Sequence, residues 1–155
     1  NHYASVTSKF LHNDYASAEG AGAAGGLGFA FLSYLNATLT PGIDLILNAV
    51  ELEKELEDTD ITVTGEGRLD HQTAMGKAPV GIARRAKAHG CKVFVLAGSV
   101  EPEGAHTLQK DRPLVDGVFS ILPGVLSLED AMREEIAYEN MRFTAEQVFR
   151  IVAGW

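Results

Sequence analysis

The chain has 155 residues, of which 46% are hydrophobic and 22% charged, and its formal charge is −8. That is the make-up of one ordinary globular domain with a single sizeable core, and its acidity argues against nucleic acid as a partner, because phosphate-backbone binding needs a basic footprint. No apolar run is long enough to cross a bilayer, no signal peptide opens the chain, and the single Cys91 excludes an internal disulfide or a cysteine-rich zinc site, so a soluble cytoplasmic protein is expected.

The chain opens Asn1-His2-Tyr3, without Met, and runs directly into a helical pattern, which suits a trimmed product or an excised domain. Tyr3, Val6, Phe10 and Leu11 have helical spacing and predict a helix over residues 3–14. The most glycine-dense stretch, residues 19–28, follows. Leu27, Ala30, Phe31, Tyr34 and Leu35 then form one face of a second helix. Thr40-Pro41 reads as an N-cap with proline at the first helical position, starting a short helix through Ile43, Ile46 and Leu47.

Ile61-Thr62-Val63-Thr64 predicts the first strand, ending at Gly65, with a polar loop over residues 66–76. A helix over residues 79–89 is stopped by Gly90. Cys91 reads as a strand-edge residue, and Val93-Phe94-Val95-Leu96-Ala97 as a parallel strand covered on both faces. The polar run 101–112 reads as a connecting surface loop. Gly117-Val118-Phe119-Ser120-Ile121-Leu122 predicts a third strand, closed by Pro123-Gly124. Ser127 with Asp130 starts the next helix in the manner of a capping box. Tyr138, Met141, Ala145, Val148, Phe149 and Val152 form a helical stripe expected in the core.

This order predicts an α/β fold, a parallel sheet with flanking helices in a Rossmann- or flavodoxin-like layer, over residues 1–155 as a single domain. Ligands of such sheets bind beyond the carboxyl ends of the strands, where the loops leaving Thr64, Ala97 and Leu122 gather.

Two segments carry candidate chemistry. Gly20-x-Gly22-x-x-Gly25 has dinucleotide-fingerprint spacing, but residues 15–19 make a poor preceding strand. Gly20, Gly22, Gly25 and Gly26 otherwise read either as an anion cradle at a helix N-terminus or as small residues that let two elements pack closely. The second segment places Glu66, Arg68, Asp70, Gln72, Thr73 and Lys77 after a buried strand. It offers carboxylates for metal or general-base work and cations for a phosphoryl group or a carboxylate. Gly76-Lys77 is not a Walker loop, because position 71 is His and no Ser or Thr follows Lys77. His71 beside Asp70 is either a proton shuttle or an exposed loop residue. His89 suits a helix C-terminus, and His2, His12 and His106 share no metal-ligand spacing.

Together, Gly20-Ala-Gly-Ala-Ala-Gly-Gly-Leu-Gly28, Gly65-Glu-Gly-Arg-Leu-Asp70, Gln72-Thr73, Gly76-Lys77-Ala78-Pro79, Leu96-Ala97-Gly98-Ser99-Val100 and Phe119-Ser120-Ile121-Leu122-Pro123-Gly124 resemble the bacterial glycerate kinase family of the first type. The matches keep the family's order from residue 20 to about residue 130. The resemblance implies a fold of two α/β domains, one inserted into the other, with the site in the cleft between them. Family members are more than twice as long. Their N-terminal Asp-Ser-Phe-Lys-Gly segment and acidic glycine-rich stretch do not occur here, so the chain is expected to be a C-terminal portion, with the missing N-terminal part as its partner.

The implied activity is transfer of the γ-phosphoryl group of ATP to D-glycerate with Mg²⁺, giving phosphoglycerate, with the 2-phosphate favoured. In that reading Asp70 and Lys77 are catalytic, with Asp70 and Glu66 as general base and metal-facing carboxylate in either order. Glu66, Arg68 and Thr73 contact the substrate, Arg68 gripping its carboxylate, and the four glycines bind phosphate. Two other classes stay open: a non-catalytic module that binds an anion or pairs with a second copy of itself, and a dinucleotide-dependent dehydrogenase.

Overall fold

The computed structural model describes residues 2–73, 77–110 and 113–154. It divides into two compact units, residues 1–45 and 46–155.

The first unit is helical, with no strand among its described residues. Helix α1 (His2–Leu11) and helix α2 (Ala23–Leu35) are joined by turns, and helix α3 (Gly42–Ala49) begins at the unit's end. The small core contains Ala4, Ala21 and Phe29, with Tyr15, Ala18 and Leu32 against it. Tyr3 meets Phe29 edge-on at a centroid distance of 5.3 Å, and Thr7 Oγ1 lies 3.0 Å from the Tyr34 hydroxyl. The start of α2 is kinked, because Ala24, Gly25 and Gly26 have positive φ. Asn36 ends the helix in the left-handed region, where a short polar side chain is tolerated.

In the second unit, helix α4 (Leu52–Leu56) precedes strand β1 (Ile61–Leu69), helix α5 (Ala78–Ala88), strand β2 (Lys92–Val100), helix α6 (Pro102–Gln109), strand β3 (Gly117–Ser120), helix α7 (Leu128–Ala131) and helix α8 (Glu134–Val152). The strands form a parallel sheet in the order β1-β2-β3, so the expected α/β layer is present. Its central strand shows why β2 reads as a continuous apolar run. Val93, Val95 and Ala97 enter a core with Leu69, Val80, Ala83, Ala86 and Leu108, whereas Phe94 and Leu96 enter another with Ile121 and Val148. Cys91 is buried, and its thiol donates to the Thr59 carbonyl at 3.0 Å, a structural place without access to a substrate.

Several expectations are corrected. Strand β1 does not end at Gly65 but continues to Leu69, pairing Glu66 with Ala97 and Arg68 with Ser99. The polar run 101–112 is not a loop throughout. Pro102 opens α6, Leu108 is buried, and Gly104 comes so close to Asp70 that a Cβ there would lie 2.8 Å from its carbonyl carbon. Asp111 and Arg112, at the end of that run, lie outside the described residues. The stripe on α8 is only partly core. Val148 is buried with Ala145 and Val152 packed beside it, but Tyr138, Met141 and Phe149 are 66%, 49% and 45% exposed. The sheet offers this helix only the narrow Phe94–Leu96–Ile121 surface, too small to cover its whole apolar face. The helix start at Ser127 is as expected, since its hydroxyl accepts from the Asp130 amide at 3.0 Å.

Asp116 completes the β2–β3 ladder with its side chain. Its amide donates to the Val93 carbonyl at 2.7 Å, and its Oδ2 accepts from the Val93 amide at 2.6 Å and from Lys87 Nζ at 2.5 Å. Partial burial pushes this carboxyl up, but Lys87 and the Val93 amide outweigh it and hold it below the ordinary carboxylate range. A carboxyl whose pKa is depressed by folding adds stability at neutral pH and withdraws it as pH falls through the folded value, under the ordinary carboxylate range. Asp116→Ala is expected to cost about 2 kcal/mol in urea unfolding at pH 7, by leaving the Val93 amide unpaired, and less at pH 3. An equal loss at both pH values would contradict the charge-based part of this account.

Candidate active site

Extended β1 puts Glu66 and Arg68 on one face of the strand, two residues apart, and Asp70 follows where the strand ends. The approach of β1 to β2 that permits this is unusually tight. A Cβ on Gly65 would collide with the Leu96 carbonyl oxygen, and one on Gly98 would lie 2.5 Å from the Gly67 carbonyl oxygen. Gly67 has open space where a side chain would be.

Four of the candidate residues come together here. Asp70 Oδ1 accepts from the Gln72 amide at 2.9 Å, the Thr73 amide at 3.2 Å and Lys77 Nζ at 3.3 Å. Lys77 Nζ is also 3.9 Å from Glu66 Oε2, so one ammonium faces both carboxylates. Thr73 Oγ1 donates to Glu66 Oε1 at 2.5 Å and accepts from the Asp70 amide at 3.1 Å. Desolvation pushes the Asp70 carboxyl up, yet Lys77 and the two amides prevail and hold it below the usual carboxylate range. Ala74, Met75 and Gly76, within the motif that links Thr73 to Lys77, lie outside the described residues.

Arg68 stands apart from that cluster. Its Nε and Nη2 both donate to Glu101 Oε1, the former at 3.1 Å, and both side chains are well exposed. Glu101, on a run read as mere connection, is therefore the counter-ion of a candidate substrate-gripping arginine. Only the three-dimensional pairing of β1 with β2 could reveal it, since the two residues are 33 positions apart. Its amide is fixed in turn by the Leu69 carbonyl at 2.9 Å. His71 is exposed, and His89 pairs with Glu53 at 2.7 Å.

Beside Glu66 lies a cavity of 460 Å³ at the carboxyl ends of the strands, with an apolar lining that includes Leu96, Ile121, Leu122, Met132 and Met141. Its position is the one expected of a ligand site on a parallel sheet. Among the described residues no group of three or more His, Cys, Asp or Glu is placed to hold a metal ion. No helix there is long and apolar enough to cross a membrane.

In the first unit the four candidate glycines behave differently. Gly20, with φ of 80°, lies so close to Gly28 that a Cβ on Gly28 would collide with the Gly20 carbonyl oxygen. That is the close-packing reading. Gly22, Gly25 and Gly26 instead border a 310 Å³ cavity with Tyr3 and Phe29, and a Cβ on any of them would meet open space. Turns occupy residues 16–17 and 19–22, so the strand that a dinucleotide fingerprint requires is absent from these described residues.

The model of the glycerate kinase family matches residues 1–153. The chain belongs to this family. It is 43% identical over 148 residues to a glycerate kinase of Bacillus subtilis (strain 168), covering 96% of this chain and 37% of that protein. It is 40% identical over 141 residues to the glycerate 2-kinase of Escherichia coli (strain K12), covering 91% and 36% respectively. A crystal structure assigned as glycerate kinase 2 from Salmonella typhimurium LT2 superposes with a TM-score of 0.69 at 38% identity, over 99% of this chain and 38% of that one. The chain thus spans somewhat more than a third of the length of the glycerate kinases it matches.

The glycine contacts give a direct test of the site's scaffold. Gly98→Ala is expected to lower stability by about 2 kcal/mol, because its methyl group meets backbone that cannot move without parting β1 from β2. Gly67→Ala, with free space around it, should change the urea midpoint little. A tolerated Gly98→Ala would show that the tight pairing is not required.

Proposed function

We propose that a polypeptide of the relatives' length containing this chain phosphorylates D-glycerate with ATP, and that this chain supplies one wall of the site. The observation that carries the proposal is the Glu66–Thr73–Asp70–Lys77 cluster, placed by a chain that matches the glycerate kinase family over residues 1–153. Phosphoryl transfer is mainly positioning and charge stabilisation, and the cluster holds paired carboxylates and a cation within a few ångströms of one another.

The roles follow from the local chemistry. Asp70, held below its ordinary pKa, is a weak base and suits the metal-facing role. Glu66 then faces the attacking hydroxyl of glycerate. A hard carboxylate such as that of Asp70 fits Mg²⁺, which needs only one or two protein oxygens when substrate phosphates complete its shell. Bound there, the ion would neutralise charge on the phosphates. Lys77 leaves the carboxylates for the phosphoryl group. Arg68 takes the glycerate carboxylate in place of Glu101, an exchange made cheap by exposure, since such a pair is worth about 1 kcal/mol or less. Gly22, Gly25 and Gly26 offer backbone amides to an anionic group. The glycerate 2-kinase relative supports 2-phosphoglycerate as the product.

A second reading is a non-catalytic, self-associating module. The exposure of Tyr138, Met141 and Phe149 along α8 favours it, because such a face is normally covered by something.

Formation of ADP from ATP, Mg²⁺ and D-glycerate separates the two readings. The full-length polypeptide should turn over, with 2-phosphoglycerate identified by phosphorus NMR, and the isolated chain should not. No turnover by either would leave the family membership intact and remove the activity. In the full-length polypeptide, Arg68→Lys should raise the KM for D-glycerate about tenfold, because an ammonium loses the planar two-point grip on a carboxylate. An unchanged KM would take Arg68 out of substrate binding.

A further inference from the structure

Thr73 reads from sequence as a substrate contact, but its surroundings say otherwise. The residue is fully buried, and its hydroxyl both accepts and donates a hydrogen bond within the protein. A hydroxyl has one proton to give. The Asp70 amide can only donate, so Thr73 Oγ1 must accept from it and point its own proton elsewhere. The only oxygen it meets in that direction among the described residues is Glu66 Oε1, at 2.5 Å. The direction of both bonds is therefore set by backbone chemistry, and it requires Glu66 to present an acceptor.

The consequence reaches both carboxylates. Glu66 Oε1 is used by Thr73, which leaves Oε2 as its outward oxygen, 3.9 Å from Lys77. Asp70 Oδ1 takes three donors, one of them the Thr73 amide, and among the described residues none bonds Oδ2. The Thr73 amide also reaches the Asp70 carbonyl at 3.1 Å. One buried residue thus ties a strand carboxylate to a turn carboxylate and selects which oxygen each one offers.

We infer that Thr73 is a positioning residue, which touches no substrate and instead presents Asp70 Oδ2 to the cation and Glu66 Oε2 to the attacking hydroxyl of the reaction. This inference rests on the phosphoryl-transfer reading above. It differs from a purely structural role in demanding the hydroxyl itself, because a group of the same shape without it leaves the Asp70 amide and Glu66 Oε1 unpaired.

The test compares Thr73→Ser, which keeps the hydroxyl, with Thr73→Val, which keeps the shape, in the full-length polypeptide. Steady-state kinetics with D-glycerate and ATP are read beside Mn²⁺ binding by electron paramagnetic resonance in the presence of ADP. Thr73→Val should lower kcat at least tenfold with the KM for D-glycerate within twofold, and should weaken Mn²⁺ binding by a similar factor. Thr73→Ser should restore both to within about threefold of the parent. Should Thr73→Val fail to fold, Thr73→Cys, a weak donor of similar size, carries the same comparison. A raised KM for D-glycerate at unchanged kcat would make Thr73 a substrate contact after all. Serine as impaired as valine would assign the effect to packing of the methyl group. If the parent does not phosphorylate D-glycerate, the function fails but Mn²⁺ still reports on Thr73: equal binding by parent and Thr73→Val, or none by either, overturns the inference.

Discussion

The close pairing of β1 with β2 is the constraint on which the site depends. Two extended chains lie so near at Gly65 and Gly98 that neither position has room for a Cβ. Because the pairing persists past Gly65 to Leu69, Glu66 and Arg68 stand on a strand instead of a loop. Their spacing is then fixed by the two-residue period of extended backbone. Catalytic groups on regular elements are held more rigidly than groups on loops, and here even the following turn is braced, by Gly104 of α6 against Asp70.

From that geometry the electrostatics follow. Burial disfavours the charge of Asp70. Lys77 answers this, and faces Asp70 and Glu66 at once. The backbone contributes as well, since the Gln72 and Thr73 amides converge on the same Asp70 oxygen. The resting cluster is thus compensated internally, and an incoming cation can replace Lys77 without leaving either carboxylate alone. Glu101 plays the same part for Arg68. Each charged group that the proposed reaction would employ already has a stand-in partner, of the charge that its ligand would bring.

Much of this was legible in the sequence, and what was not has a physical cause. The buried β2 and the cap at Ser127 are local signals, set by hydrophobic pattern and side-chain chemistry within a few residues. So was the gathering of Glu66, Asp70, Thr73 and Lys77, which lie within 12 positions. The far end of β1 was hidden because Gly65 and Gly67 resemble loop punctuation, whereas the missing side chain of Gly65 makes room for Leu96, about 30 residues away. Glu101 and Asp116 were hidden for the same reason: each acts on a partner more than 20 positions distant. Thr73 was found, but its bonding was not legible, since spacing reveals a hydroxyl near carboxylates and not which way its proton points.

The two sides of the sheet divide the labour between stability and access. One side is closed by α5 and α6 over Val80, Ala83, Leu108 and the inward residues of β2, all nearly inaccessible. The other has a thinner core beneath α8 and, beside it, the 460 Å³ cavity that Glu66 shares with Met132 and Met141. The apolar residues left exposed on α8 belong to this same thinner side. Glu66 borders that cavity between Gly65 and Gly67, but it pairs with Ala97, which faces the α5 and α6 core, so its carboxylate and Lys77 stand on the face opposite Leu96 and the cavity.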